Sequence, residues 1–203
     1  EDTASKLSLL VNDLIDAIKL RHEDLQLDLI IVDLQVVTQV VFQLLSFDLQ
    51  GKKVKLVNRI KPRTFVSADE NRLRQILYNI SSNAVKYTEK GEITADTIEK
   101  DGTITLTISD TGIGIPAESW EKVFQDFYQD ALADRQHSHS MGLGLYISRQ
   151  LAQKMNGDLW ISDSLPGRGT TLSLRLPKVY FADAVKLQKS ILVKKEYPKR
   201  TKN

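Results

Sequence analysis

Apolar residues between positions 69 and 88 fall at Leu73, Ile76, Leu77, Ile80 and Ala84, steps of three and four that predict a helix with one buried face. Asn79, Asn83 and Lys86 keep the same period on another face, so two carboxamides and an ammonium line up along one side. Ser67 with Glu70 reads as a capping box for this helix, and Asp69 competes for the cap. A narrower seam runs through the first 23 residues. There Leu7, Val11, Leu14 and Ile18 alternate steps of four and three, Leu10 and Ile15 widen the stripe, and Asn12, Asp13, Asp16 and Lys19 take the opposite face. So short a helix needs a partner. A second copy is the simplest, and packing on its own domain is the alternative.

The remaining pattern alternates between strands and helices. Leu25–Val32 reads as a short strand, and Asp33 caps a helix carrying Leu34, Val37, Val41, Leu44 and Leu45, with Gly51 past its end. Lys53–Asn58 and Thr64–Val66 read as strands. Glu92–Ile98 and Thr103–Ser109 form a hairpin about Asp101-Gly102, with Ile104, Leu106 and Ile108 on one face. Leu143–Met155 is a helix closed by Asn156-Gly157, and Asp158–Ser162 with Thr170–Leu176 makes the last strand pair. This order predicts an α/β two-layer sandwich, a mixed sheet with helices on one face, preceded by a coiled-coil-like helix. Between Gln125 and Met141 periodicity fails over a length that suits a lid.

Composition narrows the class. The chain has 203 residues, 41% hydrophobic and 27% charged, ordinary for a globular domain, with a net charge of +2. Absence of cysteine rules out disulfides and thiolate metal sites and fits a reducing compartment. No apolar run approaches the roughly 20 residues that span a bilayer, and no signal-peptide layout opens the chain. The expected setting is a cytoplasmic domain, with any membrane anchor of a parent protein outside this stretch. Basic residues gather in the tail from Lys178 to Lys202, but Tyr180, Phe181 and Tyr197 are its only aromatics. No nucleic-acid partner is expected.

Candidate chemistry centres on the polar helix face and three glycine turns. The carboxamide oxygens of Asn79 and Asn83 can ligate a hard cation and the Lys86 ammonium can meet phosphate, although a solvated polar face would look the same. In Ser109-Asp110-Thr111-Gly112-Ile113-Gly114-Ile115-Pro116 an acid ends a strand before two glycines. A carboxylate so fixed can accept a hydrogen bond from the exocyclic amine of adenine, where guanine offers a carbonyl. Alone, the motif could equally be a tight turn. Met141-Gly142-Leu143-Gly144-Leu145 stands before a helix, whose amides and positive end suit an anion, and Gly167-Arg168-Gly169-Thr170 enters the last strand. There is no Walker A sequence and no protein-kinase signature set. His137 and His139 lack a third ligand nearby, so no metal site is expected there.

In order and spacing these motifs resemble the catalytic and ATP-binding domain of sensor histidine kinases, in the GHKL superfamily, whose fold is the Bergerat sandwich. The asparagine box is NISSNAVKYT, the glycine boxes are DTGIGIP, GLGL and GRGTT, and the phenylalanine box is VFQDFYQ. The resemblance covers about Leu25–Pro177. It implies a catalytic ATP-binding domain over 25–177, the end of a dimerisation and phosphotransfer helix over 1–23, and a basic tail or linker over 178–203.

The resemblance also implies roles. Asn83 would be the Mg2+ ligand, assisted by Asn79, and Lys86 a phosphate contact; Asn83 and Lys86 are the catalytic pair. Asp110 would read adenine, with Gly112, Gly114 and Ile115 shaping the pocket, Thr170 supporting the base, and Tyr87 lining it or serving as a core aromatic. Gly142, Leu143, Gly144 and Leu145 would face the phosphates, and Phe124 and Phe127 would anchor the lid. Implied cofactors are ATP and Mg2+. Implied partners are the protein's own phosphotransfer hairpin, a response-regulator receiver domain, and a second copy through residues 1–23.

Two departures stand out. His139, Ser140 and Met141 precede GLGL where many members have further glycines, and Gln129 follows Phe127-Tyr128 of the phenylalanine box where many have a basic residue, a charge Arg135 could replace. The family's phosphoacceptor histidine lies in the first half of the hairpin. His22, His137 and His139 are poor matches for it, so the chain is expected to bind ATP without its own acceptor. Other superfamily ATPases use an acid at the start of the asparagine box, where this chain has Asn79. A degenerate, nonenzymatic scaffold that senses nucleotide is the remaining alternative.

Overall fold

A computed structural model describes residue 11 and residues 14–20, 25–49, 51–128 and 142–180. Alternating apolar positions become a five-stranded sheet in the order β2-β4-β5-β7-β6, built from Lys53–Asn58 (β2), Lys90–Lys100 (β4), Thr103–Asp110 (β5), Asp158–Leu165 (β6) and Gly169–Pro177 (β7). β2 runs parallel to β4 and the other neighbours are antiparallel, so the sheet is mixed. Ile93 and Ala95, Ile104, Leu106 and Ile108, and Leu172, Leu174 and Leu176 are buried on one face. Against that face pack Leu34–Leu45 (α2), Glu70–Tyr87 (α3) and Gly144–Lys154 (α4). The expected two-layer sandwich is present.

Ile30–Asp33 (β1) and Phe65–Ala68 (β3) form a separate antiparallel pair. The strand expected at Leu25–Val32 is therefore shorter and later, since its partner offers only four residues. Leu25 and Leu27 instead pack against the core from irregular chain. Asp33 caps α2 as expected, its Oδ1 accepting from the Gln35 N–H at 3.0 Å. The capping box at Ser67 does not form, because Ser67 lies inside β3 opposite Ile31. Asp69 takes the cap, its Oδ1 accepting from the N–H groups of Asn71 and Arg72 at 3.1 Å each.

Residues 14–20 are helical (α1), and the solvent-facing assignment of Asp16 needs correction. Asp16, Ala17 and Leu20 are buried, while Val11, Leu14 and Ile18 of the predicted seam are exposed. Asp16 Oδ2 accepts from Arg72 at 2.7 Å and from Gln75 at 2.9 Å, which ties α1 to the first two turns of α3. A carboxylate on a nominally solvent-facing side is thus drawn inward by a guanidinium 56 residues away.

Candidate functional site

The site is built along α3. Leu73, Ile76, Leu77, Ile80, Ala84 and Val85 bury its apolar face, and this fixes the rotation that turns Asn79, Asn83 and Lys86 toward a cleft. Asn79 Nδ2 donates to Gly144 O and to Ser148 Oγ, both at 3.3 Å. The asparagine row is thereby joined to the glycine turn that opens α4. Gly144 lies close enough that an added Cβ would stand 3.6 Å from the Asn79 carboxamide. Asn83 and Lys86 are half-buried on the same face, and Lys86 Nζ lies 4.9 Å from the Tyr87 ring centre.

At the other end of the cleft β5 delivers Asp110. Its Oδ1 accepts from the Gly112 N–H at 2.8 Å and from the Thr170 N–H at 3.3 Å. Burial pushes the Asp110 carboxyl above the usual carboxylate range, against the lowering pull of those two N–H groups. Gly112 is pressed among neighbours: a Cβ there would collide with Tyr87 O and come within 2.9 Å of Asp110 Oδ1 and Thr88 Oγ1. The Thr88 hydroxyl is fully buried and has no hydrogen-bond partner among the described residues.

A bulge shapes the floor of this end. β6 pairs regularly with β7 until a register shift between Ile161 and Asp163, which reverses the alternation. Leu159 and Ile161 point into the core, and past the shift it is Ser164 that is buried. Ser164 Oγ accepts from the Ile115 N–H at 2.7 Å, donates to Gly169 O at 3.1 Å and lies 2.9 Å from Thr170 Oγ1. The first and third glycine turns are locked together here. Gly167 N–H also donates to Ile113 O at 2.7 Å, and Gly114, at φ 73°, packs against the Leu165 carbonyl.

Phe124 and Phe127 part company. Phe124 is buried beneath the Arg149 guanidinium, 4.9 Å from its ring, and Arg149 pairs with Glu121 at 2.9 Å and Asp158 at 3.5 Å. Phe127 is 57% exposed in a left-handed backbone conformation with φ 58°. Gly142 packs against the Tyr128 carbonyl, so both edges of the lid segment meet, while residues 129–141, with Arg135, His137 and His139, lie outside the described residues. Leu143 is buried, and Ile115 and Leu145 are half-buried against the core.

The structure joins Asn79 to Gly144, Asp110 to Gly112 and Thr170, and Gly112 to the end of α3 at Tyr87 and Thr88, while Asn83 and Lys86 share the face of α3 between these contacts. Sequence reasoning missed Ser148, Ser164, Thr88 and Lys52. Ser148 follows Gly144 by one helical turn, a spacing that placed it on the same face; the others become visible only through long-range contacts.

The family described as histidine kinase-, DNA gyrase B-, and HSP90-like ATPase matches residues 68–180. The sensor protein GacS of Pseudomonas syringae pv. syringae is 34% identical over 187 residues, covering 88% of this chain and 20% of that protein. The sensor histidine kinase WalK of Bacillus subtilis is 32% identical over 182 residues, covering 87% of this chain and 29% of that protein. Full-length ShkA, solved in complex with AMPPNP, superposes with a TM-score of 0.77 at 29% identity, covering 88% of this chain and 37% of that chain. The chain thus spans between 20% and 37% of the length of these relatives.

Proposed function

The chain belongs to the family of histidine kinase-, DNA gyrase B- and HSP90-like ATPases, and on that footing we propose that it is the catalytic ATP-binding part of a two-component sensor histidine kinase. One observation carries this reading. The carboxamide of Asn79 is hydrogen-bonded to Gly144 O, so the polar row of α3 stands beside the glycine turn that opens α4.

In this reading the base end is read by Asp110. With Oδ1 held by two backbone N–H groups, Oδ2 accepts from the exocyclic amine of adenine, and the buried Thr88 hydroxyl supplies a second polar group nearby. Gly112 and Gly114 give the base room, with Ile115 and Tyr87 beside it and the Thr170 N–H steadying the carboxylate. At the phosphate end, Asn83 and Asn79 present carboxamide oxygens to Mg2+. Asn79 fits that role because its N–H side is already engaged with Gly144 and Ser148. The bound cation would neutralise phosphate charge. Lys86, with the amides of Gly142, Leu143, Gly144 and Leu145 at the start of α4, binds phosphate oxygens.

The reaction is in-line displacement at the γ-phosphorus. A bond forms from a histidine nitrogen of a separate helical domain, the bond to the bridging oxygen of ADP breaks, and the imidazole proton passes to a base of the acceptor domain. Positioning and charge neutralisation carry such a step. Asn79 stands where a hydrolytic ATPase of this superfamily would place a carboxylate to activate water, which supports phosphotransfer over hydrolysis.

Residues 1–23 are read as the end of the dimerisation helix, 25–177 as the catalytic domain and the remainder as a tail. Exposed Val11, Leu14 and Ile18 support pairing with a second copy. The partners are the phosphotransfer hairpin and a response-regulator receiver domain, and ATP as substrate supports a cytoplasmic location. Among the described residues no helix is long and apolar enough to cross a membrane. The test is incubation of the chain with γ-labelled ATP and a family phosphotransfer hairpin carrying its histidine. Acid-labile label on the hairpin, lost with Asn83→Ala, is the expected result. Nucleotide binding without transfer would favour a nonenzymatic scaffold.

A further inference from the structure

A lysine outside every site motif reaches the end of α3. Lys52 lies in the turn between α2 and β2, just after Gly51 with its φ of 87°, and its N–H donates to Leu49 O at 2.9 Å. Its side chain crosses to the far end of α3. Nζ donates to Val85 O at 2.8 Å and to Lys86 O and Thr88 O at 3.2 Å each, and pairs with Glu89 at 3.2 Å.

That helix end needs such a donor. The final carbonyls of a helix have no intrahelical partner and gather negative partial charge. Many helices satisfy them with a left-handed glycine, but here Thr88 follows α3 in an extended conformation, φ −112° and ψ 120°. A three-donor ammonium takes over the task.

The carbonyls it gathers belong to the turn on which both ends of the cleft converge. Tyr87 O, between them, accepts from the Ile113 N–H at 3.3 Å, and Gly112 packs directly against Tyr87 O and Thr88 Oγ1. Lys86 leaves from the same turn. A shift there would move the floor under Asp110 and the root of the Lys86 side chain together.

We propose that Lys52 is a positioning residue for nucleotide: its ammonium fixes the last turn of α3, and thereby the base pocket at Tyr87, Thr88 and Gly112 and the reach of Lys86, without touching the nucleotide. This role rests on the nucleotide reading of the cleft given above.

The test is calorimetric titration of the full chain with AMP-PNP and Mg2+ at 15 °C, for wild type, Lys52→Met, Lys52→Arg, Lys52→Gln and the exposed-partner control Glu89→Gln, with melting curves for each. Lys52→Met is expected to bind about tenfold more weakly at a temperature where it is fully folded, as displaced ligand-binding groups do. Lys52→Arg should recover part of that loss and Glu89→Gln should bind like wild type. A lower melting temperature with unchanged affinity for Lys52→Met would overturn the positioning role and leave only a structural one. If Lys52→Met does not fold, Lys52→Gln decides: it keeps a shorter, uncharged donor, and wild-type affinity for it would overturn the role equally. Failure of wild type to bind would sink the nucleotide reading itself, and the role of Lys52 with it.

Discussion

At the base end of the cleft the groups already hold one another: Asp110 Oδ1 accepts two N–H bonds, Ser164 joins Ile115, Gly169 and Thr170, and Gly112 fits between Tyr87, Thr88 and Asp110 with no room for a methyl. At the phosphate end Asn83 and Lys86 form no side-chain hydrogen bond to another described residue, and Asn79 alone is tied, to Gly144 and Ser148. On the proposed nucleotide reading, the difference follows from what each end would recognise. A flat base is discriminated by fixed shape and one well-placed acceptor, whereas phosphates and a cation are met by charged and carboxamide groups that complete their bonding only with ligand present. Rigidity and availability divide the cleft between them.

Changes at the packed end should therefore have the larger effects. Gly112→Ala adds a methyl that collides with Tyr87 O and crowds Asp110 and Thr88. Overpacking of this kind costs about 1–3 kcal/mol, and as the strain falls on the pocket itself, AMP-PNP affinity should fall by roughly a hundredfold, read by calorimetry.

Asp110→Asn keeps an oxygen for the Gly112 and Thr170 N–H groups but faces the adenine amine with a second N–H donor. Affinity should fall by about 10- to 100-fold, the worth of a hydrogen bond to a charged acceptor. The same change separates binding from stability. Because burial raises the Asp110 pKa in the folded state, its contribution to stability is present below the unfolded pKa and is lost as pH rises through the folded value. At neutral pH the charge is a cost to the empty fold. Asp110→Asn should thus melt no lower than wild type without nucleotide, and in the acid range its stability should lose the component that declines with rising pH.

At the open end, Asn83→Ala should leave the empty protein's melting temperature within about a degree, because Asn83 makes no hydrogen bond to another described side chain and the helix tolerates alanine well. It should remove the magnesium dependence of AMP-PNP binding, measured with and without the cation. The smallest effect on binding is expected far from both ends. Asp16→Ala breaks the link to Arg72 and Gln75 and should cost about 1–2 kcal/mol of stability, while AMP-PNP affinity stays within about twofold, the additivity expected of distant sites.

Much of this site could be read in the sequence because its parts obey short-range periods. Asn79, Asn83 and Lys86 follow from the turn of one helix, and Asp110 from the end of one alternating strand before two glycines. Other elements escaped for physical reasons. Ser67 made a sound local cap, but pairing with Ile31 placed it in a strand and passed the cap to Asp69. Asp16 belongs to a polar face by period and is buried only because Arg72 meets it. Ser164 points inward because of a bulge that local alternation does not announce. Lys52 looks like one of many surface lysines until α3 and the α2–β2 turn are brought together.

The most direct test of the central claim, that this cleft is a working adenine-nucleotide site, is calorimetric titration of AMP-PNP into wild type and Asp110→Asn, each with and without magnesium. Magnesium-dependent binding to wild type that weakens at least tenfold in Asp110→Asn is the predicted result. Absence of binding to wild type, or equal binding by both proteins, would contradict it.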